Sequence, residues 1–331
     1  MGSEPFSFSS ASGALAFLII PAKIAPMRTD LDHLPVAKQR ELERVRRILF
    51  EEFDDAIRLG TQAWKKQGRI LKMILYGSYA RGDWIHDPVG GYVSDYDLLV
   101  VVNHDRLTDT LEYWAKADDH LLREYSVTHR LTAPASFIVH SIADVNTQLQ
   151  RGRPFFVDIV RDGIALYEME GHDLEPPKPL SPDEQRKEAK NNFDYWFEQA
   201  SSARMGADFY VANGKSRDAA FLFHQAAERL YHCALLTLTL YSPKSHKLNF
   251  LRSQAESHDL RLIEAWPRGT RFGQRCFELL RRAYVEARYS PHYKIRPEEL
   301  KWIGERIAVL QELVRAACEE RLAALEQRSV A

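Results

Sequence analysis

The sequence predicts an α+β protein in two parts: an N-terminal mixed sheet covered by helices and a C-terminal all-α bundle. Three observations support this. Short apolar runs alternate with helical periodicity up to residue 168, a segment rich in proline and charge covers residues 169–181, and only helical patterns follow. A chain of 331 residues is long enough for two domains of ordinary size.

In the N-terminal part, the hydrophobic period changes three times along the chain. Apolar residues recur at helical spacing from Pro35 to Gln67, and the run Ile70–Tyr76 then predicts a buried strand that ends in a Gly-Ser turn. Asp97–Val102 predicts a second strand, Leu107–Tyr125 a helix and Ala135–Ser141 a third strand. We therefore expect one mixed-sheet domain over residues 35–168, preceded by a disordered tail over residues 1–34.

The C-terminal part begins with a clear helix start. Ser181-Pro-Asp-Glu184 combines an N-cap serine, a proline in the first turn and a glutamate three residues after the cap. Helical patterns then continue, interrupted at Pro243 and Pro267. This pattern is typical of an antiparallel helical bundle, expected over residues 182–331.

The composition excludes several classes of protein. Lys and Arg number 45 against 46 Asp and Glu, so the chain lacks the global positive charge that attracts nucleic acid. No apolar run approaches the roughly 20 residues of a membrane helix. The three cysteines are widely separated, which argues against disulfide pairs and zinc sites and favours buried free thiols in a cytoplasmic protein.

The most specific cluster of residues joins a turn to a pair of carboxylates. Gly77 and Ser78 follow the first strand, where backbone N–H groups and a hydroxyl can bind the phosphates of a nucleotide. Asp95 and Asp97 are two residues apart at the start of the second strand, so their side chains leave the same face. Such a pair can hold Mg²⁺ that also binds substrate phosphates. Arg81 either meets phosphate or pairs with Asp83.

Gly77-Ser-Tyr-Ala-Arg-Gly-Asp83 followed by Ser94-Asp-Tyr-Asp-Leu-Leu-Val-Val101 resembles the minimal nucleotidyltransferases of the DNA polymerase beta superfamily. The resemblance implies a nucleoside triphosphate substrate, with ATP expected, and Mg²⁺ or Mn²⁺ held by Asp95 and Asp97. It also implies a third carboxylate on a neighbouring strand. His140 takes that position in the third predicted strand and is the third candidate catalytic residue, and Asp158 is an alternative acid.

Two further features bear on this resemblance. The segment between Ser78 and Asp95 is longer than in many members, and residues 84–92 are expected to form a loop over the site. The predicted bundle resembles the HEPN family in three segments, residues 219–230, 245–251 and 283–293.

Active HEPN ribonucleases carry an arginine and a histidine near a dimer interface, and Arg288 and His292 are the matching residues. They are separated by fewer residues than in the family motif. The alternative is that Arg288 pairs with a carboxylate such as Glu228 and that His292 is a local cap. In related two-gene systems the transferase modifies a tyrosine beside this motif, which makes Tyr293, or Tyr289, the expected acceptor.

The combined resemblance implies a Mg²⁺-dependent transferase that moves a nucleoside monophosphate to a protein or RNA hydroxyl. It further implies a toxin–antitoxin or defence role and a homodimer formed through the HEPN domain. Two other functions stay open: an antibiotic-type transferase that acts on small molecules, and a catalytically weak nucleotide-binding regulator or HEPN ribonuclease. An acidic cleft between the domains would favour the small-molecule transferase.

Overall fold

A computed structural model describes residues 27–87 and 92–330. Most of the predicted N-terminal tail, and residues 88–91 of the predicted loop, lie outside the described residues. The described strands are β1 (Ile70–Tyr76), β2 (His86–Asp87), β3 (Tyr92–Val93), β4 (Tyr96–Val102), β5 (Ala135–Ser141) and β6 (Ile164–Glu168).

The described helices of the first domain are α1 (Val36–Ile57), α2 (Ala63–Lys66), α3 (Gly77–Arg81), α4 (Ala115–Ser126), α5 (Ile142–Gln150) and α6 (Pro154–Asp162), with a 3₁₀ turn at Asp105–Thr108 and a π turn at Thr110–Trp114. Those of the second domain are α7 (Pro182–Ala212), α8 (Ser216–Thr239), α9 (Leu248–His258), α10 (Arg271–Tyr289) and α11 (Pro297–Val330), with a 3₁₀ turn at Leu260–Ala265. The predicted α+β architecture is confirmed.

Within the described residues, a mixed sheet of four strands in the order β5-β4-β1-β6 forms the centre of the first domain. Strand β4 runs antiparallel to β1 and parallel to β5, and β6 runs antiparallel to β1. Every residue of β1 and β4 is buried, because apolar clusters cover both faces of the sheet. The sequence reasoning predicted β1, β4 and β5 and missed β6.

The end of the predicted tail is part of the first domain. Arg28 forms a parallel bridge to Ile164 of β6, and its guanidinium donates to the Ala80 carbonyl at 3.0 Å. Leu34 is buried in the same core as α1. Residues 27–34 therefore pack on the sheet, in contrast to the expectation of disorder. The segment predicted as a loop over the site includes residues of the short strands β2 and β3, which pair with each other in antiparallel orientation.

The second domain is a helical bundle arranged around α8. Most residues of α8 are buried, and α7, α10 and α11 pack on it. Helix α7 begins at the predicted capping box, with both reciprocal hydrogen bonds between Ser181 and Glu184 present. The three cysteines are buried free thiols within these helices: Cys233, Cys276 and Cys318. Among the residues that the structure describes, no helix combines the length and the apolar character of a membrane span.

Candidate active site

The fold brings the Gly-Ser turn and the carboxylate pair together. Tyr76, the last residue of β1, lies opposite Asp97 of β4 in the antiparallel register. Gly77 then takes the left-handed conformation, with φ of 72°. A Cβ at this glycine would lie 2.6 Å from Asp97 Oδ2, so the backbone of the turn lies directly against this carboxylate. The two halves of the predicted motif therefore form one site.

The two carboxylates differ in their surroundings. Asp97 is 3% exposed, whereas Asp95 is half-buried and accepts a hydrogen bond of 2.9 Å from Ser136 Oγ. Burial, and then the charge of Asp95, raise the pKa of Asp97 well above its ordinary value. Burial also raises the pKa of Asp95, although hydrogen bonds from Ser253 and Ser136 oppose this shift. A cation beside the pair would favour the ionised form of both groups.

The donor set fits one kind of metal site. Across residues 27–87 and 92–330, no three His, Cys, Asp or Glu side chains converge to form a metal-binding group. Mg²⁺, however, is commonly held by one or two carboxylates, with substrate phosphates and water completing its shell. Asp95 and Asp97 therefore fit a magnesium ion that is shared with a triphosphate, and they do not fit a closed structural zinc site.

The structure does not bring His140 to this pair. In the parallel register of β4 and β5, Ser136 lies opposite Asp97 and His140 lies opposite Val101. Four residues along a strand span about 13 Å. The His140 ring instead bonds to the carboxylate of Asp144 at 2.5 Å and to the hydroxyl of Tyr241 at 2.8 Å. The expected third catalytic position is therefore occupied by the serine, and the prediction for His140 does not match the geometry.

The other two candidates near this site have clear partners. Asp158 lies on α6 and pairs with Arg161 at 2.9 Å on the surface, and none of the hydrogen bonds or ion pairs of the described residues joins it to Asp95 or Asp97. Arg81 pairs with Asp83 at 3.2 Å. This ion pair is one of the two roles that the sequence analysis considered for Arg81. Its positive charge also acts to lower the pKa of Asp97. Arg81 thus lies close enough to influence the carboxylate pair electrostatically.

Two residues from the other domain complete the surroundings of the carboxylates. Gln254 of α9 donates from Nε2 to Asp97 Oδ1 at 2.6 Å, and the neighbouring Ser253 acts to lower the pKa of Asp95. Sequence reasoning missed both residues. They come from a helix far along the chain, and neither residue type carries a signal that would link it to a carboxylate pair.

The predicted HEPN motif is only partly assembled. Arg288 donates to the Tyr284 carbonyl at 2.6 Å, and its guanidinium lies 4.4 Å from the centre of the Tyr284 ring. His292 lies beyond the end of α10 and is exposed, with its backbone N–H on Ser290 Oγ. The Tyr293 hydroxyl donates to the Leu279 carbonyl at 3.0 Å. None of these contacts joins His292 to Arg288.

A different histidine shares the Tyr284 ring with Arg288. His246 stacks on Tyr284 with the ring centres 4.9 Å apart and the planes 13° apart. Its Nδ1 lies 2.9 Å from Glu228 Oε1, and His224 Nε2 lies 3.3 Å from the other oxygen of this carboxylate. Burial acts to raise the pKa of Glu228, but the two imidazoles outweigh it and hold the pKa below its usual value. Glu228 thus binds two histidines rather than Arg288.

Comparisons with known protein families agree with this architecture. The family described as "Nucleotidyltransferase domain" matches residues 61–142, and the family described as "HEPN domain" matches residues 193–320. A comparison with curated proteins finds none that matches the chain. The first matched segment contains β1, the Gly-Ser turn and both carboxylates, and the second contains most of the helical bundle. The predicted fusion is therefore confirmed: the chain joins a nucleotidyltransferase domain to a HEPN domain.

Proposed function

We propose that the N-terminal domain is a Mg²⁺-dependent transferase that moves a nucleoside monophosphate from ATP to a hydroxyl of protein or RNA. The observation that carries this proposal is the contact between the Gly77 turn and the carboxylate of Asp97. This contact supports the proposal, because one triphosphate can reach both a turn suited to bind phosphate and a pair of carboxylates.

In this proposal each residue has a separate task. The backbone of the Gly77–Ser78 turn binds the triphosphate, and Asp95 and Asp97 hold the ion. Magnesium, when bound, neutralises charge on the reacting phosphate and on the leaving pyrophosphate. The acceptor oxygen attacks the α-phosphorus in line with the bond to pyrophosphate, which leaves. Ser136 orients Asp95 through its 2.9 Å hydrogen bond.

The test of this proposal compares two aspartates. We expect Asp97→Asn to lower transfer from labelled ATP by about two orders of magnitude or more, because it removes a charge that holds the metal. Asp158→Asn is the matched control, since this carboxylate pairs with Arg161 on α6, and its transfer rate should equal that of wild type. Equal transfer by wild type and Asp97→Asn would contradict the mechanism.

We propose that the hydroxyl that accepts the nucleotide is a tyrosine of this protein. Tyr293 is 4% exposed and burial raises the pKa of its phenol, so it is poorly placed to attack a phosphate. Tyr289 is 73% exposed and lies beside Arg288, which makes it the better candidate. Peptide mass spectrometry after incubation with ATP and Mg²⁺ should find a nucleotide adduct that Tyr289→Phe lacks. Label on added RNA, or on an added antibiotic, would identify a different acceptor.

A second candidate function, RNA cleavage, is favoured by the arrangement around Tyr284. A carboxylate that orients an imidazole is a common form of general base, and a nearby arginine can stabilise phosphate charge. His246, held by Glu228, and Arg288 supply these groups. If the domain cleaves RNA through them, His246→Ala and Arg288→Ala will abolish cleavage and His292→Ala will not. Loss of cleavage in His292→Ala alone would favour the predicted motif instead.

We also propose that the protein has a toxin–antitoxin or defence role in the cell. If transfer silences the HEPN domain, the full chain carrying Asp97→Asn should slow bacterial growth when expressed, whereas wild type should not. Adding Arg288→Ala to this variant should restore growth. Normal growth with Asp97→Asn at equal protein levels would contradict the role.

A further inference from the structure

The carboxylate of Asp97 is engaged by a residue of the HEPN domain. Gln254 Nε2 donates to Asp97 Oδ1 at 2.6 Å, and Gln254 Oε1 accepts from the Tyr76 hydroxyl at 3.0 Å. Gln254 is only 2% exposed. The amide is therefore fixed at both ends, with its N–H directed at the oxygen that would bind a metal.

Apolar and ionic contacts hold α9 in this position. Tyr241, just after α8, stacks on Phe155 of α6 with the ring centres 4.2 Å apart and the planes 14° apart. Phe250 of α9 packs against the same apolar cluster of the first domain. At the rim, Lys247 Nζ lies 2.5 Å from Asp118 Oδ2 of α4. The two domains are therefore packed together around the carboxylate pair.

This packing and the binding of Mg²⁺ compete for the same oxygen. Mg²⁺ keeps several water ligands and binds alongside substrate phosphates, so it needs open space beside the carboxylates. In the structure the Gln254 amide occupies the space beside Asp97. A buried hydrogen bond between an amide and a carboxyl oxygen is costly to break unless both groups gain new partners.

We propose that helix α9 of the HEPN domain is an intramolecular inhibitor of the nucleotidyltransferase site, in which Gln254 holds the oxygen of Asp97 that the divalent cation needs. The proposal rests on the proposed function, because it assumes that Asp97 binds the metal. Metal and nucleotide bind a state in which α9 has moved away. The apparent affinity for them is therefore reduced by the fraction of molecules that are closed.

The first test measures Mn²⁺ binding by electron paramagnetic resonance, with and without a non-hydrolysable ATP analogue, on the full chain. We expect Gln254→Ala to bind Mn²⁺ about tenfold more tightly than wild type, because the competing hydrogen bond to a charged group is removed. Ser257→Ala, on the same helix, is the matched control and should match wild type, since its hydroxyl bonds only to the Gln254 carbonyl in the contacts described.

A second pair of variants opens the interface without touching the site. Lys247→Glu places a like charge beside Asp118 and should tighten Mn²⁺ binding by a smaller factor, because both side chains are partly exposed. Combining Lys247→Glu with Asp118→Lys restores opposite charges and should return the affinity to that of wild type. Circular dichroism spectra identical to wild type would establish that these variants are folded.

The outcomes separate this inference from the proposed function. Unchanged or weaker Mn²⁺ binding in Gln254→Ala, with binding still lost in Asp97→Asn, would overturn inhibition by α9 and leave the metal site in place. If Asp97→Asn does not weaken Mn²⁺ binding, either alone or combined with any of these variants, the proposed metal site itself is overturned. Tighter binding in Gln254→Ala that Asp97→Asn abolishes would support both.

Discussion

At the scale of single residues, Gly77 controls the geometry of the site. Gly77→Ala places a Cβ 2.6 Å from Asp97 Oδ2 at a backbone φ of 72°. We expect it to lower the free energy of unfolding by more than the roughly 1–2 kcal/mol that a left-handed alanine costs, and to abolish transfer. Gly82→Ala is the control: its φ is 88°, but the nearest atom to its Cβ is 3.6 Å away. Equal losses in urea unfolding of the two variants would contradict a specific contact with Asp97.

The surroundings of Glu228 should make the free energy of unfolding depend on pH. Its pKa is lowered in the folded protein, since the interactions of its carboxylate with His224 and His246 outweigh burial. At pH values between the two pKa values, the unfolded chain therefore binds more protons at Glu228 than the folded protein does. The contribution of Glu228 to the stability of the folded protein is fully present above the ordinary carboxyl pKa, and it is lost as the pH falls through the folded pKa. We expect the difference in unfolding free energy between wild type and Glu228→Gln to shrink from pH 7 to pH 3. A constant difference over this range would contradict the interpretation.

At the scale of elements, the parts of the fold with local signals could be predicted from sequence. The apolar runs of β1, β4 and β5, the Gly-Ser turn and the spacing of the two aspartates each lie within a few residues. Strand β6 has no such signal, because it is short and only part of it is buried. The position of His140 depends on the register of β5 against β4, which sequence periodicity does not define.

Helix α9 illustrates a second limit of sequence reasoning. Its apolar residues pack within the HEPN core, which a helical pattern can predict. Its opposite side carries Gln254 to the Asp97 carboxylate of the other domain, and this contact joins residues far apart in the chain. Such pairing depends on how two domains pack, and residue type alone does not encode it.

At the scale of the whole molecule, the domain interface links the transferase domain to the HEPN domain. The same helix contributes to the HEPN core and contacts the Asp97 carboxylate of the transferase domain. A movement of α9 that frees Asp97 must therefore either separate the domains or rearrange the bundle. If Asp97 binds the metal as proposed, binding of nucleotide and metal is coupled to the state of the HEPN domain, and this coupling is reciprocal.

The surface of helix α7 indicates how two copies of the chain would associate. Helix α7 carries Met205 and Phe209 on its surface, both exposed and one helical turn apart, so that they form one apolar face. The net charge of -1 leaves little long-range repulsion between copies. Together with the HEPN domain, these observations lead us to expect a homodimer through this domain.

Light scattering at micromolar concentration should therefore give the mass of a dimer for wild type. Phe209→Glu should give the mass of a monomer, because a charge buried in an apolar interface is left without a partner. Leu111→Glu is the control, since Leu111 is another exposed apolar residue and lies on the first domain, and this variant should stay dimeric. A monomeric wild type would contradict the prediction, and a dimer broken by Leu111→Glu rather than Phe209→Glu would move the interface to the transferase domain.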